Sequence, residues 1–229
     1  MELLRTCILV PCYKRPEYTA KCIKALQQAQ DYPETMFLLV DDGSNDDTAQ
    51  ILLHAKLPKE VIVRSVNIGL RATLLDFIEW GIADKYEYFG VMGNDCLVPK
   101  NWLNRILLAL TTTNADIISP NVLPSNAAFV YGSDDTERVG YRPASIVGGL
   151  WFAPRKMFEG IKFEHATLRG ISGAEEVLRR IILEKEPKMG WLPSVNIQDI
   201  GHWSGAHADH VKSEEHRAYS QEVGRAVAW

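Results

Sequence analysis

Apolar residues in the first half of the chain come in short runs, each followed by a stretch with helical spacing. Thr6–Val10 is a continuous apolar run ending at Pro11, the signature of a strand covered on both faces. Pro16 stands where a helix would begin, and Cys22, Ile23, Leu26 and Ala29 line one helical face. Met36–Val40 predicts a second buried strand, stopped by Asp41-Asp42-Gly43-Ser44, with a polar helix start at Asn45–Thr48. Val61–Val66 predicts a third strand, and Leu70, Leu74, Phe77, Ile78 and Ile82 the next amphipathic helix. Tyr86–Met92 is a fourth strand ending at Gly93-Asn94-Asp95, Trp102–Leu110 is helical, and Asp116–Ser119 is a short strand. The order βαβαβαβα argues for an α/β fold, a mainly parallel sheet with helices on both faces.

The texture changes near residue 120. Residues 120–145 are rich in Pro, Asn, Ser and Asp, with at most one strand at Ala127–Tyr131. Ile146–Ala153 carries Gly148-Gly149 before Leu150-Trp151-Phe152, a Gly pair that permits close backbone approach to a ligand. Ser172–Leu183 is a helix with an Ala174, Val177, Leu178, Ile181, Ile182 stripe. Val195–Gly201 is an apolar–polar run leading into Gly201-His202-Trp203-Ser204-Gly205.

Composition narrows the class. The 229 residues are 46% hydrophobic and 24% charged, which excludes a disordered chain, a coiled coil and a collagen-like fibre. The formal net charge of -4 gives no general attraction to nucleic acid. The four cysteines, Cys7, Cys12, Cys22 and Cys96, form no C-x-x-C pair, so reduced thiols and a cytoplasmic location are the expectation. No apolar run reaches the ~18 residues of a membrane span, and no secretory leader is visible. Cys12 and Cys96 flank candidate site residues, so thiol oxidation is expected to affect ligand binding there.

In sheets of this kind ligands sit at the carboxyl ends of the strands. Four polar clusters fall there: Pro11–Arg15, Asp41–Ser44, Asn67–Arg71 and Gly93–Asp95. Each alone reads as a turn; the set at one sheet edge reads as a site. There is no G-x-G-x-x-G, no P-loop and no G-x-S-x-G elbow, which speaks against dinucleotide-binding, P-loop and α/β-hydrolase chemistry. In the second half, Ser172 and Glu175 fit a capping box, a structural role. Glu176 lies off the apolar stripe and suits either a solvated face or a general base. His202 and His207 lack zinc-site spacing; one His with the Asp95 carboxylate would suit Mn²⁺ or Mg²⁺ bridging a diphosphate.

Val10-Pro11-Cys12-Tyr13-Lys14-Arg15-Pro16, Val40-Asp41-Asp42-Gly43-Ser44-Asn45-Asp46, Asn67-Ile68-Gly69 and Asn94-Asp95 together resemble a family 2 glycosyltransferase of the GT-A fold. Gly148-Gly149, Arg155, Phe158, Glu175-Glu176 and Gly201-His202 resemble the acceptor half and terminal motif of that family. The resemblance implies a single domain over residues 1–229. It has a nucleotide-sugar half to about residue 110 on a Rossmann-like, mostly parallel sheet, a mixed acceptor half to about 207 and a helical tail over 208–229. It implies sugar transfer with inversion from a UDP-sugar, with GDP- and dTDP-sugars as alternatives. Acceptors in view are a glycan, a lipid-linked saccharide, a protein or a modified nucleic acid, and a homo-oligomer stays open. Pro11, Tyr13 and Arg15 would line the base and ribose pocket. Asp42 would accept from the nucleobase and Asp41 would support the turn. Asn67 and Gly69 would belong to the donor site, and Arg71 would reach the base or phosphate. Asn94, Gly148 and Gly149 would belong to the donor site, and Asp95 would be the last position of the family's D-x-D motif. Asp95 and His202 would hold the metal, and Glu176, next to Glu175, would be the base. The chain departs from the family at Gly93, where the first Asp of D-x-D is expected, and in having Glu at the base position. A non-catalytic sugar-nucleotide or glycan-binding relative is the competing reading.

Overall fold

In the computed structural model the first strand, β1 (Thr6–Cys12), is buried along almost its whole length. It lies between two parallel neighbours, β2 (Thr35–Asp41) and β4 (Tyr88–Met92), and β3 (Lys59–Val63) completes the parallel half. The crossovers are helices α1 (Pro16–Gln28), α2 (Thr48–His54) and α3 (Leu70–Ala83). The structure describes residues 4–29, 34–113, 115–124, 140–141, 150–161 and 184–200, with positions 177 and 181.

Side-chain alternation along β1 and β2 explains why both strands are continuous apolar runs. Ile8, Val10, Phe37 and Leu39 pack under α1 and α2, with Trp102 of α4 (Trp102–Thr112) in the same cluster. Cys7, Leu9, Leu38 and Val40 pack on the opposite face against Leu74, Phe77 and Ile78 of α3. A strand with two apolar faces is stable only when helices cover both. Val177 and Ile181, both helical and buried, join the α3 side, as the predicted stripe requires.

Beyond β4 the sheet becomes mixed. Among the described residues its nine strands run in the order β3-β2-β1-β4-β8-β6-β9-β5, where β5 is Cys96–Leu97, β6 Ile117–Pro124, β8 Leu150–Pro154 and β9 Met189–Asp199, with β7 (Gly140–Tyr141) paired to β9. The predicted strand after α4 is present as β6 (Ile117–Pro124) and keeps the parallel direction, but it is not the neighbour of β4. β8 (Leu150–Pro154) inserts antiparallel between them. Its residues explain this: Leu150 and Phe152 face the α1 side and Trp151 the α3 side, all at most 1% exposed, so β8 needs a central place.

Several boundaries differ from expectation: β4 begins at Tyr88 rather than Tyr86, and β6 runs on to Pro124, into a stretch expected to be loop. The third strand ends at Val63 rather than Val66, because Val66 packs its backbone against Gly43 in the loop that follows. α2 begins at Thr48, after Asp46 Oδ1 has accepted the Thr48 N–H at 2.8 Å. Val195–Gly201, read only as an apolar–polar run, lies largely in the longest strand, β9 (Met189–Asp199). Its buried residues Leu192, Val195 and Ile197 break strict alternation. The register against β6 slips between Pro120 and Asn121, where Asn121 meets Asn196 rather than the residue after Leu192. Arg105 of α4 donates to the Ser194 carbonyl in this bulge at 2.9 Å. The predicted strand at Ala127–Tyr131 lies outside the described residues.

Candidate active site

The carboxyl ends of β1, β2 and β4 and the loop after β3 converge on one edge of the sheet, and their polar clusters are tied together. Asp41 Oδ1 accepts from the Ser44 backbone N–H at 3.0 Å and from the Ser44 hydroxyl. Ser44 Oγ in turn accepts the Lys14 N–H at 2.8 Å, joining the β2 turn to the β1 loop. Lys14 and Arg15 both have left-handed backbone, φ 59° and 58°. That conformation costs a non-glycine residue ~1–2 kcal/mol, and the Ser44 bond and Pro16 at the start of α1 hold it. It turns the chain sharply out of the sheet. Tyr13 is 40% exposed with Lys14 Nζ 5.2 Å from its ring centroid, a flat surface open to solvent.

Gly43 allows the second contact. Its φ is +77°, and a Cβ there would lie 2.6 Å from the Val66 carbonyl carbon and 2.7 Å from the Asn67 nitrogen. The 66–69 segment therefore rests directly on the Asp-Asp-Gly-Ser turn. Asp42, 4% exposed, binds it from below: Oδ1 accepts the Ile68 N–H at 3.1 Å and Oδ2 the Gly69 N–H at 2.9 Å. Gly69 sits at φ 90°, ψ 155°, a conformation essentially reserved for glycine, and starts α3. Asn67 is exposed, and Arg71 is half-buried in the first turn of α3 with its Nε enclosed.

At the end of β4, Asn94 donates to Thr19 Oγ1 of α1 at 2.8 Å. The Asp95 carboxylate lies 3.5 Å from the Arg15 guanidinium, both about one-fifth exposed. The Ile200 N–H donates to the Asp95 carbonyl at 2.9 Å, which brings the end of β9 beside this residue. Gly93 stands where a carboxylate was expected, and Asp95 Oδ1 fills the space, 2.6 Å from where a Cβ would be.

Beneath Asp95 lie three of the cysteines. Cys12, Cys22 and Cys96 are buried and unpaired in disulfides. Burial, reinforced by Asp95 and by one another, pushes the Cys12 and Cys96 thiols well above the ordinary range and Cys22 up to about 12. Buried, protonated thiols react slowly, so oxidation at Cys12 or Cys96 first requires this layer to open.

The structure thus brings together Pro11, Tyr13, Arg15, Asp41, Asp42, Asn67, Gly69, Arg71, Asn94 and Asp95. Glu175, Glu176, Gly148, Gly149 and His202 lie outside the described residues. Arg64, which donates to Asp42, and Thr73 and Asp76, which hold the Arg64 guanidinium, are not among the residues the sequence points to. An arginine just after a strand and a polar pair three apart on a mainly apolar helix were the available signals.

Residues 7–186 match the sequence profile described as Glycosyl transferase family 2. The chain is 26% identical over 120 residues to Glycosyltransferase AglE of Haloferax volcanii, a match covering 50% of this chain and 38% of that protein. Among solved structures, S. aureus TarS 1-349 superposes with a TM-score of 0.66 at 16% identity, covering 98% of this chain and 75% of that one. TarS 1-349 has also been solved in complex with UDP. Mannosyltransferase PcManGT of Pyrobaculum calidifontis, in complex with GDP-Man and Mn²⁺, gives a TM-score of 0.66 at 16% identity over 97% of this chain and 64% of that one. These likenesses identify the GT-A fold. No helix among the described residues is long and apolar enough to cross a membrane.

Proposed function

Because the chain belongs to glycosyl transferase family 2, we propose that it transfers a sugar from a nucleoside-diphosphate donor to an acceptor hydroxyl, with inversion. The observation that supports this most is the pre-built Asp42 cradle at the sheet edge. A buried acceptor-only carboxylate beside an exposed aromatic ring suits a nucleobase edge and face. TarS in complex with UDP and PcManGT with GDP-Man show such donors on this fold. Residues to about 110 form the nucleotide half, 111–207 the acceptor half, and the acceptor is a hydroxyl of a glycan, lipid-linked saccharide, protein or modified nucleic acid.

The donor set at the diphosphate end fits a hard divalent cation. Among the described residues no group of three or more His, Cys, Asp or Glu forms a metal site. Mn²⁺ or Mg²⁺ needs only one or two carboxylates when phosphate oxygens and water complete its shell. Asp95, with His202, would hold it, and its contribution is to offset charge on the leaving diphosphate. Ile200, two residues before His202, bonds to Asp95, which favours this pairing. Arg15 adds positive charge at the same point. Glu176 takes the proton from the acceptor oxygen as it attacks the anomeric carbon.

The two glutamates supply the experiment. Glu176→Gln abolishes transfer while nucleotide affinity persists. Glu175→Gln, where the sequence reads a capping box that glutamine also satisfies, removes only a first-turn charge, lowers stability by about 0.3–1 kcal/mol and leaves transfer largely intact. The reverse pattern assigns the base to Glu175, and full activity in both variants removes the single-carboxylate mechanism.

A further inference from the structure

Arg64 occupies a place that the proposed chemistry does not yet explain. Its backbone N–H extends the β2–β3 ladder by donating to the Asp41 carbonyl at 2.9 Å. Its guanidinium then folds inward and is 14% exposed. One nitrogen donates to Asp42 Oδ1 at 3.1 Å and also to Thr73 Oγ1. The other donates to Asp76 Oδ2 at 2.7 Å, on the next turn of the same helix face. A planar fork held at both ends has little rotational freedom, which a lysine would not reproduce.

The consequence lies in the lone pairs of Asp42. An ionised carboxylate offers about four acceptor positions, two on each oxygen. Oδ1 accepts from Arg64 and from Ile68 N–H, which fills it. Oδ2 accepts from Gly69 N–H and keeps one position. A carboxylate with both oxygens available would take the paired N1–H and N2–H₂ donors of guanine side by side. One with a single position suits a base with one N–H on its pairing edge, as in uracil and thymine.

We infer that Arg64 is a positioning residue that makes Asp42 a single-acceptor site and so selects a uracil- or thymine-type nucleoside diphosphate over a guanine one. The inference rests on the nucleotide-sugar reading above and specifies its donor class. Arg64 acts through Asp42, not on the nucleotide itself.

The test is the affinity for UDP and GDP, measured by calorimetry at fixed Mg²⁺ for the intact chain and for Arg64→Gln, Asp42→Asn and the double variant. The intact chain binds UDP at least about tenfold more tightly than GDP. In Arg64→Gln the UDP affinity falls about tenfold and the GDP affinity changes less, so the ratio collapses. In the double variant UDP binding is no weaker than in Asp42→Asn, because the two residues act as one unit. Arg64→Lys restores only part of the ratio. If Arg64→Gln does not fold, Asp76→Asn, which removes only the outer anchor, shifts the ratio in the same direction by a smaller factor. An unchanged UDP-to-GDP ratio in a folded Arg64→Gln or Asp76→Asn protein overturns the role of Arg64. An intact chain that prefers GDP overturns the selection itself. Unchanged UDP affinity in Asp42→Asn instead overturns the base-pocket reading on which both depend.

Discussion

Replacing Gly43 by alanine probes the turn on which the proposed donor site is built. Two costs add. Holding an alanine at φ +77° costs ~1–2 kcal/mol. The new Cβ would also lie 2.6, 2.7 and 2.9 Å from backbone atoms of Val66 and Asn67, where carbon contacts prefer roughly 3.5–4.0 Å. Backbone cannot swing aside as a side-chain tip can, and overpacking of this kind costs about 1–3 kcal/mol. The sum is about 2–5 kcal/mol, or a fall in Tm of roughly 4–20 °C for a domain of this size. Any relief must lift the 66–69 segment, which stretches the bonds from Ile68 and Gly69 to Asp42. Gly43→Ala therefore loses nucleotide affinity as well as stability. Gly69→Ala is the control: nothing lies within 4 Å of its Cβ position, so it meets backbone strain alone, about 1–3 kcal/mol. Urea and thermal unfolding with a parallel UDP titration read both effects. A Gly43→Ala protein within about 0.5 kcal/mol of the parent, with unchanged UDP affinity, refutes the packing described for this turn.

The buried thiols predict a steep loss of stability at alkaline pH. Cys7, Cys12, Cys22 and Cys96 all have folded pKa values raised above the ordinary 9.0, chiefly by burial. The unfolded chain then loses these protons first as pH rises. Their contribution is complete below about pH 9 and is lost above it, for Cys22 over about pH 9 to 12. Each thiol adds at most about 1.4 kcal/mol per pH unit. Urea midpoints from pH 8 to 10.5 should fall more steeply than those of a Cys22→Ala variant, and equal slopes would contradict the assignment. By the same reasoning a thiol reagent at pH 8 labels native protein far more slowly than unfolded protein, and rapid native labelling of Cys12 or Cys96 would contradict their burial.

The parallel half of the fold was legible because its signals are local. Thr6–Val10 and Met36–Val40 are apolar on both faces, and the turn residues Asp41–Ser44 and Gly93–Asp95 end their strands within a residue or two of the expected point. The later half depends on non-local pairing. Nothing around Leu150 says that its strand enters the sheet before Ile117 does, since both runs are apolar. β9 was hidden because Pro193 and Ser194 interrupt its alternation, and only pairing with β6, β5 and β7 makes it a strand. The candidate site divides in the same way. Asp42, Gly43 and Asp95 stand in strings whose chemistry is readable. Arg64 acquires its meaning only when β3 and α3 fold against Asp42. The ion pair of Arg15 with Asp95 likewise joins residues 80 positions apart, which no local pattern reveals.

The central claim is donor turnover, and release of nucleoside diphosphate measures it most directly. The intact protein, given a UDP-sugar, Mn²⁺ and a panel of hydroxyl acceptors, is predicted to release UDP at an acceptor-dependent rate. Asp95→Ala is predicted to lose at least about a hundredfold of that rate while remaining folded. Equal release by the two proteins would contradict the placement of the diphosphate at Asp95. Saturable UDP binding with no release from any donor across the acceptor panel would contradict the transferase reading and leave a sugar-nucleotide-binding protein.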